Sequence, residues 1–296
     1  MAIEIRQVSG YAELEKWVET RNDVVPDDTD TVALKVLLRA SQTGRVDLIA
    51  YDDGEVVGTG LLTGDAIAHR ASHPYVEVMV PARHRGRQVG AAMLREFSDR
   101  ARRLGKEGLE VEARADDAYS IAFLERRGFV EIDRWTQLFL ELDTPEPIDP
   151  APPEGVELTW LADRPDLLTA LFDMAVASER DQTGSFEAWQ AYELGDPRIA
   201  LDMTAIALAE GEVIGYTTFV RFADERTGCH RVLTVLPAWQ ERGIGEAMTR
   251  AQIAAAKRAG LRTLSAWARP WQHHALYESL GYEPRSVSID FRGPLL

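Results

Sequence analysis

One glycine pattern occurs twice in this chain. Gly58, Gly90 and Gly128 are matched by Gly215, Gly245 and Gly281, at offsets of 157, 155 and 153 (215 − 58, 245 − 90, 281 − 128). So small a drift across so many positions marks an internal repeat, hence two copies of one fold. The drift is read as a one-residue deletion in the second glycine loop. Between the copies, Asp143–Gly155 holds five prolines in thirteen residues. Proline lacks a backbone donor and has a fixed φ, so this stretch forms neither a helix nor an interior strand and reads as a stiff, extended linker. The expected division is 1–142, a linker at 143–155, and 156–296. At 296 residues, two domains are also the natural expectation from length.

Each copy reads β-α-α-β-β-β-α-β-α-β-β. In the first, Ile3–Arg6 is a strand, and Tyr11–Arg21 and Thr29–Ala40 are helices. Asp47–Tyr51 and Glu55–Leu62 form a hairpin across Asp52-Asp53-Gly54. Tyr75–Val80 is a strand, followed by a helix striped with Val89, Met93, Phe97, Ala101 and Leu104. Gly108–Glu112 is a strand and Asp117–Arg127 a helix. Two closing strands then run through Trp135 and Leu142. The second copy repeats this order, with a hairpin across Glu210-Gly211 and a strand at His230–Val235. The predicted class is α/β in the α+β sense: two tandem domains, each a mixed, largely antiparallel sheet with helices on both faces.

The stretch from Thr234 to Gly245 carries the chemistry. It reads as strand, tight loop and first helical turn. Gln240, Gly243 and Gly245 give a Gln-x-x-Gly-x-Gly loop, and Ile244, Met248, Ala251 and Ala255 line one helix face. A helix start leaves several N–H groups unpaired, and together with the positive end of the dipole they suit a phosphate. Glycine lets that phosphate approach the backbone. No Gly-Lys-Ser/Thr follows, so this is no triphosphate P-loop, and the glycine spacing does not fit a dinucleotide fingerprint.

Downstream lies Leu276-Tyr277-Glu278-Ser279-Leu280-Gly281-Tyr282. Strand, proline, Gln-x-x-Gly-x-Gly, helix, strand, then a helix ending Tyr-Glu-x-x-Gly-Tyr resembles the GCN5-related N-acetyltransferase (GNAT) family. Because the pattern occurs twice, the resemblance covers nearly the whole chain and implies a tandem member. It implies acetyl-CoA as cosubstrate, with its pyrophosphate on Gln240, Arg242, Gly243, Ile244 and Gly245. It also implies two parallel strands that splay to admit the pantetheine arm, with the Val235 backbone at the edge. Tyr277 then has the place of the acid that protonates the departing thiolate. The corresponding loop of the first copy gives Val80, Arg85, Gly86, Arg87, Gln88 and Gly90 as weaker candidates.

The copies are not chemically equal. Gln88 stands where the second copy has Gly243. Leu124, four residues before Gly128, stands where the second copy has Tyr277 and cannot donate a proton. Arg83, Arg85 and Arg87 still offer positive charge for a phosphate. The second copy is therefore expected to be the catalyst and the first to be structural, or a relic acyl-CoA site. In the implied reaction a neutral amine attacks the thioester carbonyl, a backbone N–H near Val235 stabilises the oxygen, and Tyr277 protonates sulfur. No residue is identified as the base. His230, Glu212 and Glu241 read as structural or surface groups, and His273 and His274 as a solvated helix start.

The bulk numbers exclude several classes. Net charge is −15. Residues 1–148 carry 19 basic and 27 acidic side chains, and residues 149–296 carry 14 and 21. Neither half is basic, so nucleic acid is not the expected partner, whereas an acidic surface suits a cationic amine. The lone Cys229 leaves no internal disulfide or cysteine-based zinc cluster and reads as a small buried hydrophobe. His69 and His73 are spaced i, i+4 but lie in a loop without a Glu between them, so no metal is expected. No signal segment or membrane-spanning run is present in the sequence, and the expectation is a cytoplasmic monomer or weak dimer. The expected acceptor is a small-molecule or peptide amine. The alternative is a non-catalytic acyl-CoA-binding or protein-interaction module.

Overall fold

The computed structural model describes residues 3–26, 30–41, 44–63, 72–142, 151–177, 185–222, 224 and 226–296. Residues 143–150 of the proline-rich stretch, and His69, lie outside them. The chain forms two compact units, one of Met1–Asp133 with Ile289–Leu296, the other of Arg134–Ser288.

In the first unit the elements are β1 (Glu4–Gln7), α1 (Gly10–Val24), α2 (Val32–Ser41), β2 (Val46–Asp52), β3 (Glu55–Thr63), β4 (Tyr75–Met79), α3 (Val89–Arg103), β5 (Gly108–Arg114) and α4 (Ala118–Glu125). β1, β2, β3 and β4 pair antiparallel in sequence order, and β4 pairs parallel with β5. The hairpin turn has Asp53 at φ 49° and Gly54 at φ 83°. Two positive φ values match the twist of the flanking strands, which is why an Asp-Gly pair is favoured there. Four of the five stripe residues of α3, Val89, Met93, Phe97 and Ala101, are buried against Leu48, Val76 and Leu109, whereas Leu104 lies just past the end of the helix and is exposed.

The second unit contains β7 (Val156–Trp160), α5 (Leu168–Ala177), α6 (Phe186–Glu193), β8 (Ala205–Ala209), β9 (Glu212–Arg221), β10 (Thr227–Val235), α7 (Ile244–Arg258), β11 (Thr263–Ala268) and α8 (His274–Ser279). β7, β8, β9 and β10 run antiparallel, and β10 pairs parallel with β11. The turn across Glu210 (φ 51°) and Gly211 (φ 84°) repeats the first unit's hairpin geometry.

The closing strands differ from expectation. In place of two short strands there is one long strand, β6 (Val130–Glu141). It begins in the first unit, and from Arg134 on it belongs to the second, where Thr136–Glu141 pairs antiparallel with β11. The last strand, β12 (Glu283–Pro294), does the converse. Its start stays in the second unit, where Arg285 and Ser286 bond Glu141 (2.6 Å) and Gln137 (3.0 Å). Its end supplies buried Ile289 and Phe291 to the core of the first unit, and Arg292 pairs there with Glu110 at 2.6 Å. Each unit is thus completed by a strand from the other half of the sequence.

Candidate functional site

In both units the parallel pair comes apart. β4 and β5 pair only at Tyr75↔Glu110 and Val76↔Val111, while β10 and β11 pair from Thr227↔Thr263 to His230↔Ala266. Beyond His230, β10 continues to Val235 with only β9 on its other side. Its register there shifts between His230 and Val232, so Arg231 is a bulge; β4 has no such shift against β3. A bulge bends a strand and re-aims its groups, and bulges gather beside active sites.

The backbone at Val235 faces this opening. Leu236 N–H donates to Ile214 O across β9 at 2.9 Å. Successive residues of a strand point their N–H groups in opposite directions, so the Val235 N–H points away from β9. Its carbonyl accepts from Gln240 Nε2 at 3.1 Å. Gln240 therefore acts as a strut that ties the loop to the strand.

The two glycine loops have the same length and backbone shape. In each, two residues two apart adopt left-handed φ: Gly86 (78°) and Gln88 (66°) in the first, Glu241 (61°) and Gly243 (78°) in the second. The deletion expected in the second loop is not there, since Arg85–Gly90 and Gln240–Gly245 match residue for residue. The added residue in that region is the Arg231 bulge. Nor does Gln88 alter the loop's path, because it takes the conformation that glycine supplies in the other copy.

The loop mouths differ. At α7 the first bond of the helix is Ala247 N–H to Gly243 O, and the N–H groups of Glu241–Glu246 have no acceptor among the described residues. A Cβ built on Gly243 meets only Pro153 Cγ, at 3.9 Å. Such a cluster of open amides at a helix start fits a diphosphate. At α3 the N–H groups of Arg87–Ala91 likewise have no acceptor among the described residues, and the difference is the Gly86 N–H, which donates to Tyr119 Oη at 3.0 Å. The arginines read as phosphate attractors are each committed: Arg83 to Asp23, Arg85 to Asp117 at 3.0 Å, and Arg87 to Asp52. Their charge is compensated locally by these carboxylates. Glu77, just past the paired part of β4, lies in a buried ion cluster with Arg21, Asp30 and Lys35, and burial pushes its carboxyl up.

Tyr277 sits on α8, beside α7: its neighbour Leu276 is 3.9 Å from the Cβ position of Gly245. The tyrosine is 3% exposed, and its hydroxyl has no hydrogen-bond partner among the described residues. Its ring packs against His230 (5.7 Å between centroids) and Tyr282 (5.2 Å). Burial, with a smaller contribution from Cys229, pushes the phenol above its ordinary value, so it stays protonated. At the corresponding place Leu124 is buried core.

Among the other candidates, His274 pairs with Glu278 on its own helix at 3.3 Å, and Cys229 is buried and bonds the His230 carbonyl. Trp271 is 72% exposed, and Phe222 lies under Arg198. His230 sits in the core, in agreement with its structural reading from the sequence. It is buried, bonded on both ring nitrogens, and in contact with Tyr277.

The chain matches a model described as the acetyltransferase (GNAT) family over residues 11–129 and one described as the acetyltransferase (GNAT) domain over residues 202–284. It is 26% identical to a mycothiol acetyltransferase of Streptomyces coelicolor, covering 93% of this chain and 94% of the relative. It also resembles the solved structure of a tandem GNAT protein from the clavulanic acid biosynthesis pathway, with a TM-score of 0.80 at 16% identity over 100% of this chain and 99% of that one. A GCN5-related N-acetyltransferase from Sphaerobacter thermophilus gives a TM-score of 0.78 at 18% identity, covering 99% and 96% of the two chains. No helix among the described residues is long and apolar enough to cross a membrane.

Proposed function

Because the chain belongs to the GNAT acetyltransferases, with one such region in each half, we propose that it is an acetyl-CoA-dependent N-acetyltransferase whose second unit does the chemistry. The observation that carries this is the contrast between the two loops. The amides opening α7 are free to take a diphosphate, whereas the first loop spends a matching amide on Tyr119 and its arginines on carboxylates. The first unit, on this reading, is structural.

Bound acetyl-CoA supplies a thioester carbonyl and a sulfur leaving group. The amides of Glu241–Glu246 hold the diphosphate, with Arg242 beside them. The Val235 N–H, aimed into the gap between β10 and β11, stabilises negative charge on the carbonyl oxygen as a neutral amine attacks. Tyr277 holds a proton at Oη and delivers it to the departing sulfur as the C–S bond breaks, and the proton shed by the attacking nitrogen passes through water to restore the phenol. Burial keeps the phenol protonated through neutral pH, so the proton is in place when sulfur departs.

The acceptor is a small-molecule or peptide amine, drawn to an acidic protein of net charge −15. Likeness to mycothiol acetyltransferases favours a small molecule. The test is calorimetric titration with acetyl-CoA, followed by thiol release over a panel of primary amines, amino sugars and peptide N-termini. Binding at one site per chain with amine-dependent thiol release supports the proposal. Binding without release on any amine leaves an acyl-CoA-binding module instead.

A further inference from the structure

Beside Tyr277 lies a chain of three buried polar side chains. Gln252 Nε2 donates to the carbonyls of Met203 (2.7 Å) and Thr217 (3.1 Å). Its Oε1 is therefore the acceptor facing His230 Nδ1 at 2.6 Å, so Nδ1 carries the imidazole proton. His230 Nε2 is then a bare lone pair, and it accepts the Tyr282 hydroxyl proton at 2.5 Å. Burial pulls the His230 pKa down to about 4, which keeps this arrangement in place at neutral pH. Two tyrosines thus lie ring to ring, but only one has a proton to give. That of Tyr282 is committed to His230, and that of Tyr277 is not.

The internal repeat shows what these positions look like without the network. Strand register matches His230, opposite Phe219, with Val76, opposite Leu62. Seven residues after Gly245 comes Gln252, and seven after Gly90 comes Phe97; Tyr282 follows Gly281 as Phe129 follows Gly128. Val76, Phe97 and Phe129 are at most 2% exposed and join one apolar core. The fold therefore closes at these three places with hydrocarbon alone. A buried polar network is seldom more stabilising than apolar packing of similar volume. The polar set occurs only in the unit that also has Tyr277.

We propose that His230, Gln252 and Tyr282 are positioning residues for Tyr277: they withhold the neighbouring phenol's proton and wedge the Tyr277 ring so that its own hydroxyl faces the departing sulfur. This rests on the acetyl-transfer reading above and extends it to three residues that touch no substrate.

The test uses the full chain, acetyl-CoA and the amine panel. Two variants are made, Tyr282→Phe and the triple His230→Val, Gln252→Phe, Tyr282→Phe, which copies the first unit. Each is made with Tyr277 and with Tyr277→Phe. Expected is a fall in kcat of roughly tenfold or more, within the range for impaired general-acid catalysis, with unchanged calorimetric affinity for acetyl-CoA. In the Tyr277→Phe background neither variant lowers kcat further. Full activity, an equal loss in both backgrounds, or a parallel loss of coenzyme affinity overturns the proposal. If Tyr277→Phe itself turns over normally, the acid assignment and this proposal fall together. If Tyr277→Phe is slow but the network variants are fast, only this proposal falls. Should the triple variant not fold, Tyr282→Phe, which removes a single oxygen, decides the matter.

Discussion

Exchanging the residues at the second left-handed position of the two glycine loops separates turn chemistry from coenzyme binding. Gly243 has φ 78° and Gln88 has φ 66°, so the same backbone is built once with glycine and once against a side chain's preference. Placing a side chain at left-handed φ costs about 1–2 kcal/mol. No protein atom lies closer than 3.9 Å to the Cβ position of Gly243, so a clash adds nothing. Gly243→Gln should therefore destabilise by that amount, less a few tenths recovered because glycine leaves the unfolded chain freer. In a unit of this size each kcal/mol lowers Tm by about 2–4 °C. The larger effect falls on binding, because the new side chain enters the open space in front of the amides. Acetyl-CoA affinity should drop at least tenfold, or ~1.4 kcal/mol. The reciprocal Gln88→Gly should raise Tm and create no second coenzyme site, because Gly86 stays capped by Tyr119 and the arginines stay paired. Differential scanning calorimetry and titration calorimetry read both quantities. Undiminished affinity in Gly243→Gln, or two sites per chain in Gln88→Gly, would refute the reasoning.

Two further predictions concern stability. Phe291→Ala removes a ring that is 2% exposed in the core of the first unit, from a strand supplied by the far end of the sequence, and should cost about 3–5 kcal/mol in urea unfolding. That unit should lose its cooperative transition when the chain is cut before Ile289. His230 has a folded pKa of about 4 against 6.5 for the free side chain. Between those values the unfolded chain binds the extra proton, so stability falls as pH drops from 6.5 toward 4, by at most about 3 kcal/mol. Replacing His230 with valine, together with its two partners, should flatten that part of the stability–pH curve.

What the sequence made legible was local. Hairpin turns follow from Asp53-Gly54 and Glu210-Gly211, helix faces from the spacing of Val89, Met93 and Phe97, and the tight loop opening α7 from Gly243 and Gly245. These signals are set by φ preference and by helical or strand period, within a few residues. What it hid was long-range. Arg87 reads as a free cation until folding brings Asp52 to it across 35 residues. The strand through Trp135 reads as two because its second half pairs with β11, more than a hundred residues away. His230 reads as a core histidine when taken alone. Comparing the copies position by position, with Val76, Phe97 and Phe129 against His230, Gln252 and Tyr282, was the available signal. Only strand register fixes the first of those pairs, because Arg231 displaces the simple offset.

The most direct test of the central claim is thiol release from acetyl-CoA by Tyr277→Phe, measured in a single turnover with a saturating amine. The account predicts a rate about 10²–10⁴-fold slower, the range for a lost general acid, with acetyl-CoA bound as tightly as before. A rate equal to that of the unaltered chain would contradict it.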